Sequence, residues 1–349
     1  MSKQLKVGLI GAGRIGKIHA ETIAFHIPEA TLAAVADTDE MTARALAGHY
    51  AIPHVSTNPQ ETFRDPTIDA VLICSPTDTH ADLVIEAARA GKHIFCEKPV
   101  DLTLKKTDCA LQAVERAQVK LQVGYNRRFD ANFARVRRSI VSGEIGIPHL
   151  LHIISRDPGP PPISYVKQSG GMFLDMTSHD FDMARFLIGE EVTELYAAAG
   201  VRIDPEIGKA GDVDTAVIVL HFANGVIGTI DNCRKAPYGY DQRVEVLGSA
   251  GAIATENCYP NCARISTAEC VRRDLPLNFF IDRYLASFAS ELRSFVQAVV
   301  EDKPTPVTGT DGRATVVMGL AARKSYEEGR PVRLQEIFAK ENAFAKGTN

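Results

Sequence analysis

An acid and an imidazole stand four residues apart in Gly170-Gly171-Met172-Phe173-Leu174-Asp175-Met176-Thr177-Ser178-His179-Asp180-Phe181-Asp182. On an α-helix that interval places Asp175 and His179 on one face, with Asp182 within about 60° of both, while Met176, Phe181, Met183, Ala184 and Leu187 fill the remaining arc. A carboxylate beside a buried imidazole fixes its tautomer and raises its basicity, which is what a general base needs. The same spacing also suits a purely structural pair, so the rest of the chain has to separate the two readings.

A second group of residues with chemical potential lies near the start of the chain. Residues 5–10 form an apolar run that passes directly into Gly11-Ala12-Gly13-Arg14-Ile15-Gly16 and then into a helical pattern through Ile18, Thr22 and Ile23. In a strand, glycine turn and helix of this kind, Gly11 permits the tight turn, Gly13 lets a pyrophosphate approach the backbone, and Gly16 lets the helix pack on the strand. A second apolar run, 32–36, ends at Asp37, at the distance where an acid meets the adenosine ribose. A carboxylate there repels a 2′-phosphate, and Thr38-Asp39 offers no compensating arginine, which favours NAD over NADP.

Further apolar runs at 70–74 and 93–96 look like buried parallel strands, whose ligands sit beyond their carboxyl ends. The cofactor-binding set is therefore Gly11, Gly13, Arg14, Ile15, Gly16, Asp37, Ser75, Pro76, Thr77, His80, Glu97 and Lys98, with Thr79 an ordinary helix N-cap. Pro99 restricts Lys98 to extended conformations and stiffens its turn, directing the ammonium toward a ligand over the strand ends. Beyond the strand pattern at 121–124 come five arginines, Arg127, Arg128, Arg135, Arg137 and Arg138. A solvated helix face accounts for them, with Arg127 the one most suited to turn toward a ligand.

These groups have to be held by more than one core. A chain of 349 residues exceeds the size at which a single core stops growing. It is 45% apolar and 23% charged, with net charge −4. That balance signals neither nucleic acid nor a membrane surface as partner, no run approaches the length of a membrane span, and the N-terminus lacks a signal-peptide pattern, so a cytoplasmic location is expected. Seven cysteines without a C-x-x-C pair signal neither a disulfide framework nor a metal site. Strand patterns at 149–156, 194–202, 215–222, 226–234, 242–248 and 252–255, with a hairpin turn at Asn224-Gly225, predict an antiparallel sheet. The Asp175 segment and helices at 283–302 and 310–329 pack on one face of it, leaving an open face that signals oligomerisation. Two domains result, a dinucleotide-binding α/β domain over 1–124 with a doubly wound parallel sheet and an α+β domain over 125–349 for substrate binding and oligomerisation.

The glycine motif at Gly11, Glu97-Lys98-Pro99, Gly124-Tyr125-Asn126-Arg127-Arg128-Phe129 and the segment from Ser169 to Leu187 together resemble the glucose-fructose oxidoreductase/inositol dehydrogenase family over nearly the whole chain. The resemblance implies a Rossmann domain, a C-terminal domain on a large, mostly antiparallel open sheet, and a homotetramer formed through those sheets. It implies NAD as cofactor and a cyclitol or polyol substrate, with hydride passing from C2 of myo-inositol to NAD. Lys98, Asp175 and His179 match the family's catalytic set, and Asp157 and Tyr240 match positions that contact the cyclitol, so the substrate set is Lys98, Arg127, Asp157, Asp175, His179 and Tyr240. Oxidation of another polyol or sugar and a non-catalytic NAD-binding regulator are the competing expectations. Either His179 or Lys98 could take the proton.

Overall fold

A computed structural model describes residues 4–338. The chain forms two compact units, one of residues up to Phe129 together with Ala286–Val316, the other of Asp130–Leu285 and the residues after Val316. The sequence-based division after residue 124 falls five residues before the first crossing. The return of Ala286–Val316 to the first unit has no counterpart in a reading of the chain in order.

The first unit is built on six parallel strands, β1 (Leu5–Ile10), β2 (Ala30–Ala36), β3 (His54–Ser56), β4 (Ala70–Ile73), β5 (His93–Cys96) and β6 (Leu121–Val123), in the order β3-β2-β1-β4-β5-β6. Both faces are covered, so the strands are apolar without alternation. On one face Val7, Leu9 and Val35 join a cluster that takes Leu292, Phe295 and Val296 from the helix Phe280–Val300. On the other, Ile73, Ile94 and Val123 pack with Val84, Ala87 and Ala110 from the helices His80–Arg89 and Leu104–Ala117. The order reverses direction at β1 and β4, which is where such sheets open a crevice for ligands.

The second unit carries a seven-stranded sheet of β7 (Pro148–Arg156), β8 (Val192–Gly200), β9 (Thr215–Phe222), β10 (Ile227–Cys233), β11 (Asp241–Gly248), β12 (Gly251–Ala254) and β15 (Val332–Arg333), ordered β12-β11-β7-β10-β9-β8-β15. A separate hairpin of β13 (Arg264–Ser266) and β14 (Val271–Arg273) follows β12. The sheet is mostly antiparallel, as expected, with β7 and β10 running parallel. Parallel neighbours need a long crossover, and residues 157–226, with their helices and the β8–β9 pair, supply it. Alternation along the strands buries Leu151, Ile153, Ile218, Leu220 and Ile230 on one face and leaves Tyr196, Val217, Ile227 and Leu247 exposed on the other.

Immediately before β9, Asp214 is fully buried and accepts backbone N–H bonds from Arg202 (2.7 Å), Ile203 (2.8 Å) and Asp204 (3.0 Å). Burial raises its pKa, yet these donors outweigh burial and hold the carboxyl below its ordinary 3.8. Asp214→Asn should lower the unfolding free energy by about 2 kcal/mol at neutral pH, since charged acceptors of this kind are worth ~1.5–3 kcal/mol per bond. Because the folded pKa is depressed, the contribution is complete above the unfolded value and is lost as pH falls through the folded one. The stabilities of the two proteins, read by denaturant titration, should therefore begin to approach each other as pH falls below about 4 and converge only below the folded pKa.

Candidate active site

The cofactor-binding candidates of the first unit gather at the carboxyl end of the parallel sheet. Register aligns Ile10 with Ala36 and Ile73, and Ile73 with Cys96, so Gly11, Asp37, Cys74 and Glu97 follow adjacent strand ends. Gly11 has φ +98°, and a Cβ there would come within 2.6 Å of the Cys74 carbonyl carbon. A Cβ on Gly16 would run into the Gly11 carbonyl oxygen, whereas one on Gly13 would meet nothing within 4 Å. Two of the glycines thus allow the chain to pass closely over itself, and the third leaves open space over the start of the helix Arg14–His26, where no side chain caps the free N–H groups.

Asp37 accepts from the Ala12 N–H through Oδ2 (2.7 Å) and from the Asp39 N–H through Oδ1 (2.9 Å). Each oxygen keeps a second acceptor position, as pairing with a ribose diol requires. Open backbone above Gly13, an uncapped helix start and an acid at the end of β2 fit a dinucleotide. The other candidates divide. Arg14 is exposed, while Ile15 packs against the core. His80 is buried and lies 2.8 Å from the Pro99 carbonyl through Nδ1 and 2.9 Å from the Ser75 carbonyl through Nε2, so it ties together the two loops that hold Ser75, Pro76 and Thr77 on one side and Glu97 and Lys98 on the other. Thr79 stands at the N-cap position, but its hydroxyl turns back to the Pro76 carbonyl (2.7 Å) and the Ser75 hydroxyl (2.6 Å) and caps nothing. Lys98 is half-buried and Arg127 buried, both in the first unit.

Asp157, Asp175, His179 and Tyr240 belong to the second unit. The expected continuous α-helix is replaced there by a π-helical turn, Met172–Met176, running into the α-helix Thr177–Ile188. The turn opens at Gly171, with φ +76°, and its first N–H, that of Met172, is held by both oxygens of Asp212 at 3.0 Å. Asp175 lies in the wider turn and His179 in the regular helix, so the 100° arithmetic does not extend across the pair; π-turns of this kind concentrate at functional sites. The apolar arc is as read, with Met176, Phe181, Met183, Ala184 and Leu187 buried. Asp182 is also buried, and Asp180 accepts from the Asn232 amide at 2.8 Å, anchoring the helix to β10.

Asp175 is fixed by residues that the sequence did not single out. Tyr165 donates its hydroxyl to Oδ1 at 3.0 Å, and Arg234, only 3% exposed, reaches Oδ2 at 3.3 Å. The same guanidinium lies 3.5 Å from Asp157 Oδ2. Burial opposes the charge on Arg234, but Asp175, Asp157 and Asp212 hold its pKa above the ordinary value. Asp157 and Asp175, chosen separately from sequence, are therefore joined by one cation. Tyr240 is buried, with its ring edge-on to Tyr284 at 6.0 Å. The first unit holds another unforeseen contact, between fully buried His19 and Glu97.

A parallel sheet that opens a dinucleotide crevice over Gly13 and Asp37 defines an NAD-binding oxidoreductase fold, and comparison with known proteins agrees. The family described as "Oxidoreductase family, NAD-binding Rossmann fold" matches residues 5–125, and the GFO/IDH/MocA C-terminal domain matches residues 133–254. The chain is 47% identical to a myo-inositol 2-dehydrogenase of Thermotoga maritima over 95% of its length and 99% of the relative's. It is 36% identical to an NAD(+) scyllo-inositol 2-dehydrogenase of Bacillus subtilis, covering 96% and 97% of the two chains. The solved structure of a probable dehydrogenase from Thermotoga maritima superposes with a TM-score of 0.94 at 47% identity, over 95% of this chain and 100% of that one. The protein belongs to the GFO/IDH/MocA family.

Removing one member of a buried charge cluster strands the others, at a cost of about 3–5 kcal/mol. Arg234→Met should lower the unfolding free energy by about that amount, and Arg234→Lys by less, in denaturant titrations at pH 7.

Proposed function

We propose that this protein is an NAD-dependent inositol 2-dehydrogenase that oxidises C2 of myo-inositol to the ketone, 2-keto-myo-inositol. The observation that carries this reading is the 47% identity, sustained over 95% of the chain, to a relative of that name. NAD, when bound, supplies the two-electron acceptor for the hydrogen leaving C2. The residues that hold it are the Gly11–Gly16 loop, Asp37 at the adenosine ribose, and the strand-end turns at Ser75–Thr77 and Glu97–Lys98.

The substrate is bound by Lys98, Arg127, Asp157, Asp175, His179 and Tyr240. His179 accepts the C2 hydroxyl proton, and Lys98 donates a hydrogen bond to the oxygen as it becomes a carbonyl. Asp175 stabilises the imidazolium that results. Its anchoring by Tyr165 and Arg234 supports this role, because a carboxylate held at both oxygens keeps its position as the charge beside it changes. The paired acids at 157 and 175 suit a substrate that presents several hydroxyls, since carboxylates accept from two donors at once. The exposed face of the second sheet, with Tyr196, Val217, Ile227 and Leu247 among its polar residues, supports assembly into a homotetramer through these sheets. A cytoplasmic enzyme is the setting we infer; no helix among the described residues is long and apolar enough to cross a membrane.

Preference for the other C2 epimer is the second reading, favoured by the 36% identity to the scyllo-inositol enzyme. Steady-state rates on myo-inositol, scyllo-inositol and a set of aldoses distinguish the two. The highest kcat/KM should fall on myo-inositol, and a higher value on any other member of the panel would replace the assignment. His179→Ala should reduce kcat by about 100- to 10,000-fold while leaving NADH binding intact, the range expected for loss of a general base. A variant with undiminished turnover would transfer the proton to another group.

A further inference from the structure

Lys98 is bracketed by two buried histidines. On its C-terminal side, the carbonyl of Pro99 is 2.8 Å from His80 Nδ1. On its N-terminal side, Oε1 of Glu97 is 2.6 Å from His19 Nε2. His19 is the sixth residue of the helix Arg14–His26, which opens on the glycine loop, and it is fully buried between Phe95, 5.1 Å away and edge-on, and Phe288, 5.7 Å away and edge-on. With the carboxylate accepting, the ring proton sits on Nε2. Among the described residues the buried Nδ1 has no hydrogen-bond partner and Glu97 is the ring's single polar anchor.

Glu97 is confined on its other side as well. A Cβ on Gly124 would stand 3.0 Å from Glu97 Oε2 and 3.3 Å from its Cα, so the glycine leaves room for this carboxylate. The Glu97 N–H is fixed to the Ile73 carbonyl at 3.0 Å, and the Gly124 N–H to the Cys96 carbonyl at 2.8 Å. One contact thus knits together the helix after the glycine loop, the Glu97-Lys98-Pro99 turn and the glycine that opens Gly124-Tyr125-Asn126. Folding alone does not call for it. A buried polar pair walled by phenylalanines is matched or surpassed in stability by apolar residues of the same volume.

We propose that His19 and Glu97 are positioning residues for Lys98, coupling its direction to the helix on which the dinucleotide rests. The inference rests on the assignment of Lys98 to the reacting oxygen. A displacement of that ammonium by about 1 Å lowers turnover by up to about 100-fold without touching the groups that bind the cofactor.

The test is a double-mutant cycle on the full chain. His19→Leu keeps the aromatic box filled and removes the anchor. It should lower kcat for myo-inositol oxidation by about 10- to 100-fold, with KM for NAD and the equilibrium Kd for NADH within about threefold of the parent. NADH fluorescence, excited at the nicotinamide itself, reads that Kd directly. His19→Gln, which retains an N–H toward Glu97, should recover most of the loss. In a Lys98→Ala background, His19→Leu should cost less than about twofold, because its effect acts through the missing ammonium.

Equal losses with and without Lys98, unchanged kcat in His19→Leu, or NADH affinity falling in step with kcat would each overturn the proposal. If His19→Leu does not fold, His19→Met, which also fills the aromatic box without an N–H, is carried through the same cycle and read by the same criteria. Full turnover in Lys98→Ala alone would overturn the role of the lysine and this inference with it. Impaired Lys98→Ala beside a silent His19→Leu removes the inference only.

Discussion

The parallel pairing of β7 with β10 is the constraint from which the second unit's site arises. Arg156 aligns with Cys233 across that pair, so the residues that follow, Asp157 and Arg234, leave the sheet side by side. On the other flank of β7 the antiparallel β11 begins with Asp241 opposite Arg156, which sets the preceding Tyr240 at the same end. Three adjacent strands thus deliver an acid, a cation and a phenol to one edge. Had β7 and β10 run antiparallel, Asp157 and Arg234 would lie at opposite ends of the ladder, a strand length of about 20 Å apart.

Arg234 changes what the two acids can do. Two carboxylates brought to the same strand end repel. A guanidinium within 3.3 Å of one and 3.5 Å of the other removes that pressure, and its planar fork engages both without a second cation. The cost is the desolvation of the guanidinium and of Asp175, which is tolerable only while both remain; Asp157 stays partly exposed. The wide turn at Met172–Met176 serves the same end. Asp212 fixes its first N–H and Tyr165 its acid, so Asp175 is held by side chains on either side of a segment whose own hydrogen bonding is irregular.

What the sequence discloses about this molecule follows the range over which each feature is determined. The glycine loop was readable because Gly11 and Gly16 answer to backbone contacts within a few residues or at the next strand, and no other residue type fits there. The strand runs, the Asn224-Gly225 turn and the apolar arc of the Asp175 helix are local patterns, and they appear within about two residues of where the periodicity puts them. Arg234 carries no such mark. It ends an ordinary strand beside Cys233 and Lys235, and its partners are set by a strand direction that a hydrophobic pattern leaves undetermined. His19 was hidden for the related reason that a histidine inside an amphipathic helix looks like any core position until its neighbour across the sheet is known. The π-turn was missed because sequence spacing was converted to angle on the assumption of regular helix.

The return of the chain adds a constraint of another kind. After Leu285 the polypeptide re-enters the first unit, and Leu292, Phe295 and Val296 complete one face of the parallel sheet before the chain leaves again after Val316. Residues up to Phe129 therefore do not by themselves close the core that presents the glycine loop. One wall of the box around His19, Phe288, also comes from this late segment. A helix encoded near residue 290 thus helps to fix a turn encoded near residue 97. The cofactor half of the molecule can reach its final geometry only after nearly the whole chain is available to fold, which makes the local legibility of its glycine motif compatible with a global dependence of its shape.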